Sequence, residues 1–514
     1  MNAVAIGRRA DARLSALSAR RAATPALLVF LLAVSVLIRT RVIGTGFWID
    51  EGLTVGISSH PFVDIPHVLR QDGSPPLYYL LLHGWMRLFG QSEVATHELS
   101  LLFALACVPA AFWATQSLFG RRAGWIAATL AALNPFLSVY AQETRMYSLD
   151  GLLSILATSA FVHAFILGHR RYLAPFTLFL TLLLYTHNWA LLFALASIGA
   201  LLFITRDDSD RGGRLRDAAL AYGAAAVLYA PWIPTLVFQI RHTGAPWSSP
   251  PSLAGLLAGP AALASSDGSA MALVLAGGSG IAAIFRRRAP ERRAVLAIVI
   301  VGAGTILLAW VASEISPAWA NRYFAILIGP LILLAAVGLA NGGRLAAVAL
   351  VLIALFWLAY HVSDDKSNVK QVARKAAPLL RPGDLVVSTH PEQTPTLHYY
   401  LPPGLSYATS LGPVVDPRVM DWRDAVDRLR TARPEQTLDS LLTGLPPGAR
   451  LLFVRPLITG NWDATWTHLV KRRSRQWARV VKRDPRLLRL AIVRGPRETF
   501  KGVVGILYLK VRSG

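Results

Sequence analysis

Apolar residues dominate the chain up to about Tyr360, in runs long enough to cross a bilayer. A spanning helix needs about 20 mostly apolar residues. Taken in order, the runs cover approximately 24–44, 97–119, 123–140, 148–168, 172–186, 188–204, 218–236, 268–285, 294–312, 323–340 and 344–361. Residues 75–90, PPLYYLLLHGWMRLFG, are also apolar but short for a crossing. They predict an interfacial or re-entrant helix, with Tyr78, Tyr79 and Trp85 at headgroup level. If they did cross, every later connection would change sides. Beyond Ser363 polar and apolar residues mix; DLVVST, LLFVRP and VGILYLKV read as short buried strands, with helical stretches such as DWRDAVDRLRTA between them. The pattern divides the chain into a basic segment over 1–23, a transmembrane domain over 24–362 and a small α/β domain over 363–514.

Charge orients this arrangement. Only 16% of the residues are charged, against roughly 25% in a soluble domain. The net charge is +23, a value that would suit a nucleic-acid binder. Much of the arginine, however, sits in short patches between apolar runs. They are the N-terminus (Arg8, Arg9, Arg13, Arg20 and Arg21), Arg121-Arg122, Arg170-Arg171, Arg206 to Arg216, Arg286 to Arg293, and Arg344. These fall at every second connection. Eleven spans with the N-terminus inside put all six patches on the cytoplasmic side of a cell membrane, which is the positive-inside pattern and excludes nucleic acid as the partner. An odd number of spans places the α/β domain outside. The basic N-terminus before the first span fits an uncleaved signal-anchor, with a cleaved signal peptide as the alternative; no small-residue cleavage pattern follows. Cys107 is the one cysteine, so there is no disulfide framework. Lysine is absent before Lys366. Near the end, KRRSRQWARVVKRDPRLLRL is a basic amphipathic stretch suited to anionic headgroups or to a solvated surface. Arg39 and Arg41 lie near the outer end of the first span, against the positive-inside pattern, where a lipid headgroup is one available partner.

The outer connections hold the chemistry. They are GTGFWIDEGLTVGISSHPFVDIPHVLRQDGSPP, AQETRMY, YTHNW, Gln239 to Ser266, and SEISPAWANRYF. Ionisable residues at a membrane's edge are costly to bury and tend to be functional or paired. Asp50 and Glu51 follow the first span on the aromatic stretch Phe47-Trp48-Ile49; a carboxylate there suits general-base work, or an ordinary helix cap. Asp72 precedes Pro75-Pro76, again as a site residue or a cap. Glu143 and Arg145 flank Thr144; the planar fork of an arginine binds two phosphate oxygens, and a local Glu–Arg pair is the plain alternative. His187 suits phosphate, metal or a structural place between aromatics, and Arg322-Tyr323 opens a later span, where a snorkelling arginine is the plain alternative. No P-loop, dinucleotide fingerprint, HExxH or paired CxxC occurs. With no inner-face domain for a nucleotide sugar, an enzyme of this shape draws its activated substrate from the lipid.

WIDE after the first span, then DGSPPLYYLLLHGW, then LNPFLSVYAQETRMYSL, then RYF with a later proline, resemble glycosyltransferase family 39. That family is related to the dolichyl-phosphate-mannose–protein mannosyltransferases and the lipid A aminoarabinose transferase, with the GT-C membrane fold. The resemblance runs through about the first 340 residues and is strongest from Trp48 to Leu149. It implies a polytopic α-helical protein with interfacial helices in the first outer loop. It also implies inverting transfer of a hexose or pentose from a polyprenyl-monophosphate donor to a hydroxyl on a glycan, lipid or protein. By the same resemblance Asp50 is the general base, and Glu51 orients it or holds an acceptor or metal. Asp72, Arg145, His187, Arg322 and Tyr323 serve the donor phosphate, with Glu143 and Tyr147 in support. A divalent cation at Asp72, Glu143 or His187 is an open alternative that the sequence does not require. The Pro-Pro loop has no lysine, which the aminoarabinose transferase carries there; Ser74 stands nearby. The tail lacks the length and repeats of the mannosyltransferases' β-trefoil insert. The rival class is a transporter or flippase of lipid-linked sugars, which would place charges near the midplane and show repeated halves.

Overall fold

In the computed structural model, residues 24–264, 266–286, 289–364, 366–458, 464–496 and 501–512 are described. The basic segment 1–23 and Arg287-Arg288 lie outside them. The chain opens with α1 (Thr24–Arg39). It continues through α2 (Ile49–Ser58), α3 (Ile65–Val68), α4 (Leu77–Phe89), α5 (Glu93–Phe119), α6 (Arg121–Leu133) and α7 (Pro135–Tyr140). Next come α8 (Tyr147–Phe161, extended by a π turn), α9 (Leu173–Leu184), α10 (Ala190–Ile204), α11 (Arg211–Tyr229), α12 (Ile233–His242) and α13 (Leu253–Ala264). The helical part ends with α14 (Asp267–Phe285), α15 (Ala289–Ile315), α16 (Ile328–Asn341, entered by a 3-10 turn) and α17 (Gly343–Ala359). Among the described residues, six helical segments are long and apolar enough to cross a membrane: α5, α8, α11 with α12, α14, α15 and α16. The chain is a multi-pass membrane protein.

Every apolar run of the sequence is helical, and the breaks have local causes. The run over 123–140 is split at Asn134-Pro135. Pro135 has no N–H, so the Ala131 carbonyl loses its helical donor. Arg39 supplies the replacement, donating to Ala131 O at 2.6 Å and Ala104 O at 2.7 Å. Arg39 is therefore fully buried and ties three helices together, and it does not face a lipid headgroup. Helix α4 has 13 residues, about 20 Å at 1.5 Å each. Its Tyr78 and Tyr79 are wholly buried, contrary to the headgroup expectation, because they serve the polar interior behind the site. Helix α13 occupies a stretch expected to be loop; its 12 apolar residues are short for a span and pack on α7 and α14.

The basic connections gather at one end. Asp208 pairs with Arg293 at 2.6 Å and with Arg214 at 3.0 Å, while Arg170 pairs with Asp217 at 2.8 Å. At the other end sits the C-terminal domain: α18 (Val369–Ala376), β1 (Leu385–Ser388), α19 (Thr394–Tyr400), β2 (Ser406–Thr409), β3 (Gly412–Val414), α20 (Ala425–Thr431), α21 (Pro434–Gly444), β4 (Arg450–Pro456), α22 (Thr465–Arg483), β5 (Leu487–Arg494) and β6 (Val503–Lys510). The sheet runs β3-β2-β1-β4-β6-β5, parallel where β1 meets β2 and β4 and antiparallel elsewhere. Helices α18 and α19 cover one face, and α21 and α22 the other. The stretch KRRSRQWARVVKRDPRLLRL is thus not one amphipathic helix: α22 stops at Asp484-Pro485 and the rest is the edge strand β5. The apolar face of α22, including Trp477 and Val481, is buried on the sheet and is unavailable to lipid.

Helices α14 and α16 cross at glycines, and a methyl group on Gly280 would overlap the Gly338 carbonyl. Small residues at such crossings let backbones approach. Gly280→Val should cost about 1–3 kcal/mol by overpacking, read as a lower melting temperature in detergent. Gly278→Val is the control, because a side chain there meets open space. Equal melting of the two variants would contradict this packing.

Candidate active site

Asp50 and Glu51 occupy the first turn of α2, where the helix dipole favours negative charge. One residue of helical rotation sends them to different places. Glu51 turns inward and is fully buried. It accepts hydrogen bonds from His97 Nε2 at 2.6 Å, the Thr144 N–H at 2.9 Å and Lys366 Nζ at 3.2 and 3.3 Å. Burial alone would raise its pKa, but Lys366 and His97 outweigh that and hold it at about 2. Its contribution to stability is therefore complete above the unfolded value of about 4.5 and is lost as pH falls through about 2.

Asp50 turns outward into a cavity of about 230 Å³ whose walls include Asp72, Arg145, Tyr147, His187, Arg322 and Tyr323. Seven of the nine residues singled out in the sequence thus share one space. Arg322 brings its guanidinium to 3.6 Å from the Asp50 carboxylate and lies over the Trp247 ring at 4.6 Å. Arg145 is anchored from below: its Nη1 donates to Thr54 Oγ1 at 2.7 Å and reaches the Asp50 carbonyl at 3.4 Å. Arg145 is 7% exposed, and among the described residues the Nε–H groups of Arg145 and Arg322 are both buried without a partner. Two cations with unused donors face one carboxylate.

His187 is neutral. Burial, reinforced by Arg145 and Arg322, lowers its pKa to about 3. Its Nδ1 accepts the Trp189 N–H at 3.2 Å, so the ring proton resides on Nε2. It can donate a hydrogen bond but brings no charge. Burial raises the pKa of Asp72, which accepts from Tyr79 Oη at 3.2 Å. Gln239 and Asn188 hold this loop by donating to Leu69 O at 2.8 Å and Gly73 O at 3.1 Å. Trp422 of the sheet domain completes the wall, its backbone N–H donating to Gln71 O at 2.9 Å.

Glu143 stands apart in a neighbouring cavity of about 450 Å³ with Trp48, Tyr140, Tyr360 and Lys366; Arg322 lines both spaces. It is 8% exposed, and its Oε2 has no partner among the described residues. Burial raises its pKa to about 7, although Lys366 pulls the other way. Among the described residues no group of three His, Cys, Asp or Glu side chains is placed to hold a metal ion. Asp72 and His187 line the first cavity and Glu143 the second.

Lys366, His97, Gln239, Asn188 and Trp422 were not legible as site residues in the sequence. The only local hint was Lys366, the first lysine in the chain. Asp150 was also missed: it lies one turn inside α8, fully buried, with both carboxylate oxygens unpaired among the described residues.

No family model matches the chain, and no curated protein matches it in sequence. Solved structures do match in fold. ArnT from Cupriavidus metallidurans in the apo state superposes with a TM-score of 0.65 at 14% identity, over 95% of this chain and 98% of that one. The same protein bound to undecaprenyl phosphate gives 0.62. The oligosaccharyltransferase AglB from Archaeoglobus fulgidus, in complex with an inhibitory peptide and a dolichol-phosphate, gives 0.55 at 11% identity, over 83% of this chain and 69% of that one. The arabinofuranosyltransferase AftD from Mycobacteria gives 0.52 at 15% identity, covering 95% of this chain and 40% of AftD. At these identities the likeness establishes the fold: this is a polytopic membrane protein with the GT-C fold and a small C-terminal sheet domain.

Proposed function

We propose that the protein is an inverting glycosyltransferase that moves a hexose or pentose from a polyprenyl monophosphate to a hydroxyl on an envelope glycan, lipid or protein. The observation that carries this is the meeting of Asp50 with Arg145 and Arg322 in one cavity, both arginines having an unused buried donor. The undecaprenyl phosphate bound by ArnT and the dolichol-phosphate bound by AglB, two proteins of the same fold, support a lipid phosphate as the donor's carrier.

The chemistry follows from the charges. The acceptor hydroxyl attacks the anomeric carbon while its proton passes to the Asp50 carboxylate. The bond from that carbon to the phosphate oxygen breaks, and the polyprenyl phosphate leaves with one more negative charge than it brought. Arginines aimed at the leaving oxygen stabilise that charge, so a strong general acid is unnecessary. Arg145 and Arg322 take this part, with His187 Nε2 and Tyr323 as neutral donors beside them. Asp72, with its raised pKa, weakens the cavity's positive field less than an ordinary carboxylate would. Glu143 and Tyr147 shape the neighbouring walls.

The site and the sheet domain face the outside of the cell membrane, with the N-terminus in the cytoplasm. The paired arginine connections at the opposite end of the bundle support this orientation.

Asp50→Asn should lower kcat by about 10²–10⁴-fold while leaving melting and membrane insertion unchanged. Mass spectrometry of lipid-linked sugars and envelope glycans would show the donor accumulating and one product disappearing; a full yield of product removes Asp50 as the base. Arg322→Gln should slow transfer by about 10²-fold or more and weaken the binding of polyprenyl monophosphate. Unchanged binding would place the phosphate elsewhere. For orientation, Val415→Cys offers a fully exposed thiol in the sheet domain, and the native Cys107 is buried and silent. An impermeant maleimide should label that variant on intact cells. Labelling confined to inverted vesicles would reverse the topology.

A further inference from the structure

The sheet domain grips α2 along its length. Tyr400 Oη accepts the Phe47 N–H at 2.7 Å, and Thr396 Oγ1 lies 3.4 Å from Trp48 O. A methyl group on Gly52 would overlap Thr396, and one on Gly56 would overlap the Arg418 carbonyl, so the two surfaces meet with no room for a side chain. At the far end His60 Nε2 meets Asp416 at 2.6 Å, and beside the near end Lys370 meets Glu93 at 2.6 Å.

One of these contacts differs in kind. Lys366 lies where the bundle joins the sheet domain, and its Nζ reaches both oxygens of Glu51 and the Gln142 carbonyl at 2.5 Å. Its side chain is 10% exposed and that of Glu51 is 0%. The same carboxylate accepts the N–H of Thr144, whose neighbour Arg145 reaches back to the Asp50 carbonyl. The buried anion therefore closes a ring through three segments: the start of α2, the 141–146 loop and the domain junction. Its other partners are the His97 imidazole and the backbone N–H groups of Thr144 and Trp48, so Lys366 brings the ammonium of the cluster. Removing the ammonium leaves a buried carboxylate with only the imidazole and two backbone N–H groups as partners, and a buried ion that loses a partner draws in water or moves.

We propose that Lys366 is a positioning residue: by neutralising Glu51 it sets Asp50 against Arg145, which makes the sheet domain a working part of the site. The proposal rests on the glycosyl-transfer reading for its kinetic consequence and on geometry alone for its structural one. Lys366 does not line the cavity that holds Asp50; it lines the neighbouring one with Glu143 and Arg322, and its link to Asp50 runs through Glu51 and the start of α2.

The test uses the full-length protein in detergent or nanodiscs. Lys366→Met should lower kcat by about 10²-fold, as misplacement of a catalytic group by about 1 Å does, while the donor KM and the affinity for undecaprenyl phosphate stay within about threefold. Hydrogen–deuterium exchange should quicken in residues 49–58 and 141–146 and stay unchanged in α14 to α16. The double variant Glu51→Gln/Lys366→Met, which buries no unpaired charge, should recover part of kcat and yet remain below wild type. An unchanged kcat or unchanged exchange in Lys366→Met overturns the proposal. If that variant fails to insert, the double variant decides: wild-type kcat there overturns it, and reduced kcat with intact melting supports it. A wild-type protein that transfers no sugar from any polyprenyl-phosphate donor defeats the functional reading instead, and the exchange measurement still decides the positioning role.

Discussion

The structure depends on one buried carboxylate. In a bundle surrounded by lipid, every polar group away from the ends must find its partner inside the protein. Glu51 meets that demand with donors drawn from α5, the 141–146 loop and the domain junction. Because its neighbour on the helix is Asp50, satisfying Glu51 also decides where Asp50 points. The acidic pair that looks like a single motif is two residues with opposite fates, one holding the frame and the other facing the cavity.

Around that frame the cavity is electrostatically unbalanced by design of its neighbours. Arg145 and Arg322 bring two fixed charges, while His187 is held neutral and Asp72 is pushed toward its protonated form. A ligand that carries negative charge, and gains more on reaction, completes this arrangement. Aromatic rings from Tyr147, Trp189, Trp247, Tyr323 and Trp422 surround the charges and lower the local dielectric, which strengthens each interaction. The second cavity shares Arg322 and contributes Glu143, so one guanidinium borders both spaces.

Much of the fold was legible because bilayer thickness imposes a length on each apolar run and the arginine patches mark alternate ends. Residues 75–90 were legible as a short helix, α4. Seven site residues converge because each sits in a connection on the same face. What local pattern could not convey is pairing at a distance. Lys366 lies 315 residues from Glu51, and Arg39 lies 92 residues from the Ala131 carbonyl that Pro135 orphaned. Tyr78 and Tyr79 match an interfacial belt in composition, yet the polar interior behind them claims both. The strand β5 was hidden within a run of arginines, because an edge strand needs only one apolar face and its exposed positions can carry charge.

The central claim is that the Asp50 cavity takes a lipid phosphate between two arginines. The most direct measurement is an experimental structure of the full chain with a polyprenyl monophosphate bound. The account predicts phosphate oxygens within about 3 Å of the guanidiniums of both Arg145 and Arg322, with the Asp50 carboxylate across the space where the anomeric carbon would lie. A phosphate lodged away from both arginines, with Asp50 still facing an empty cavity, would contradict it.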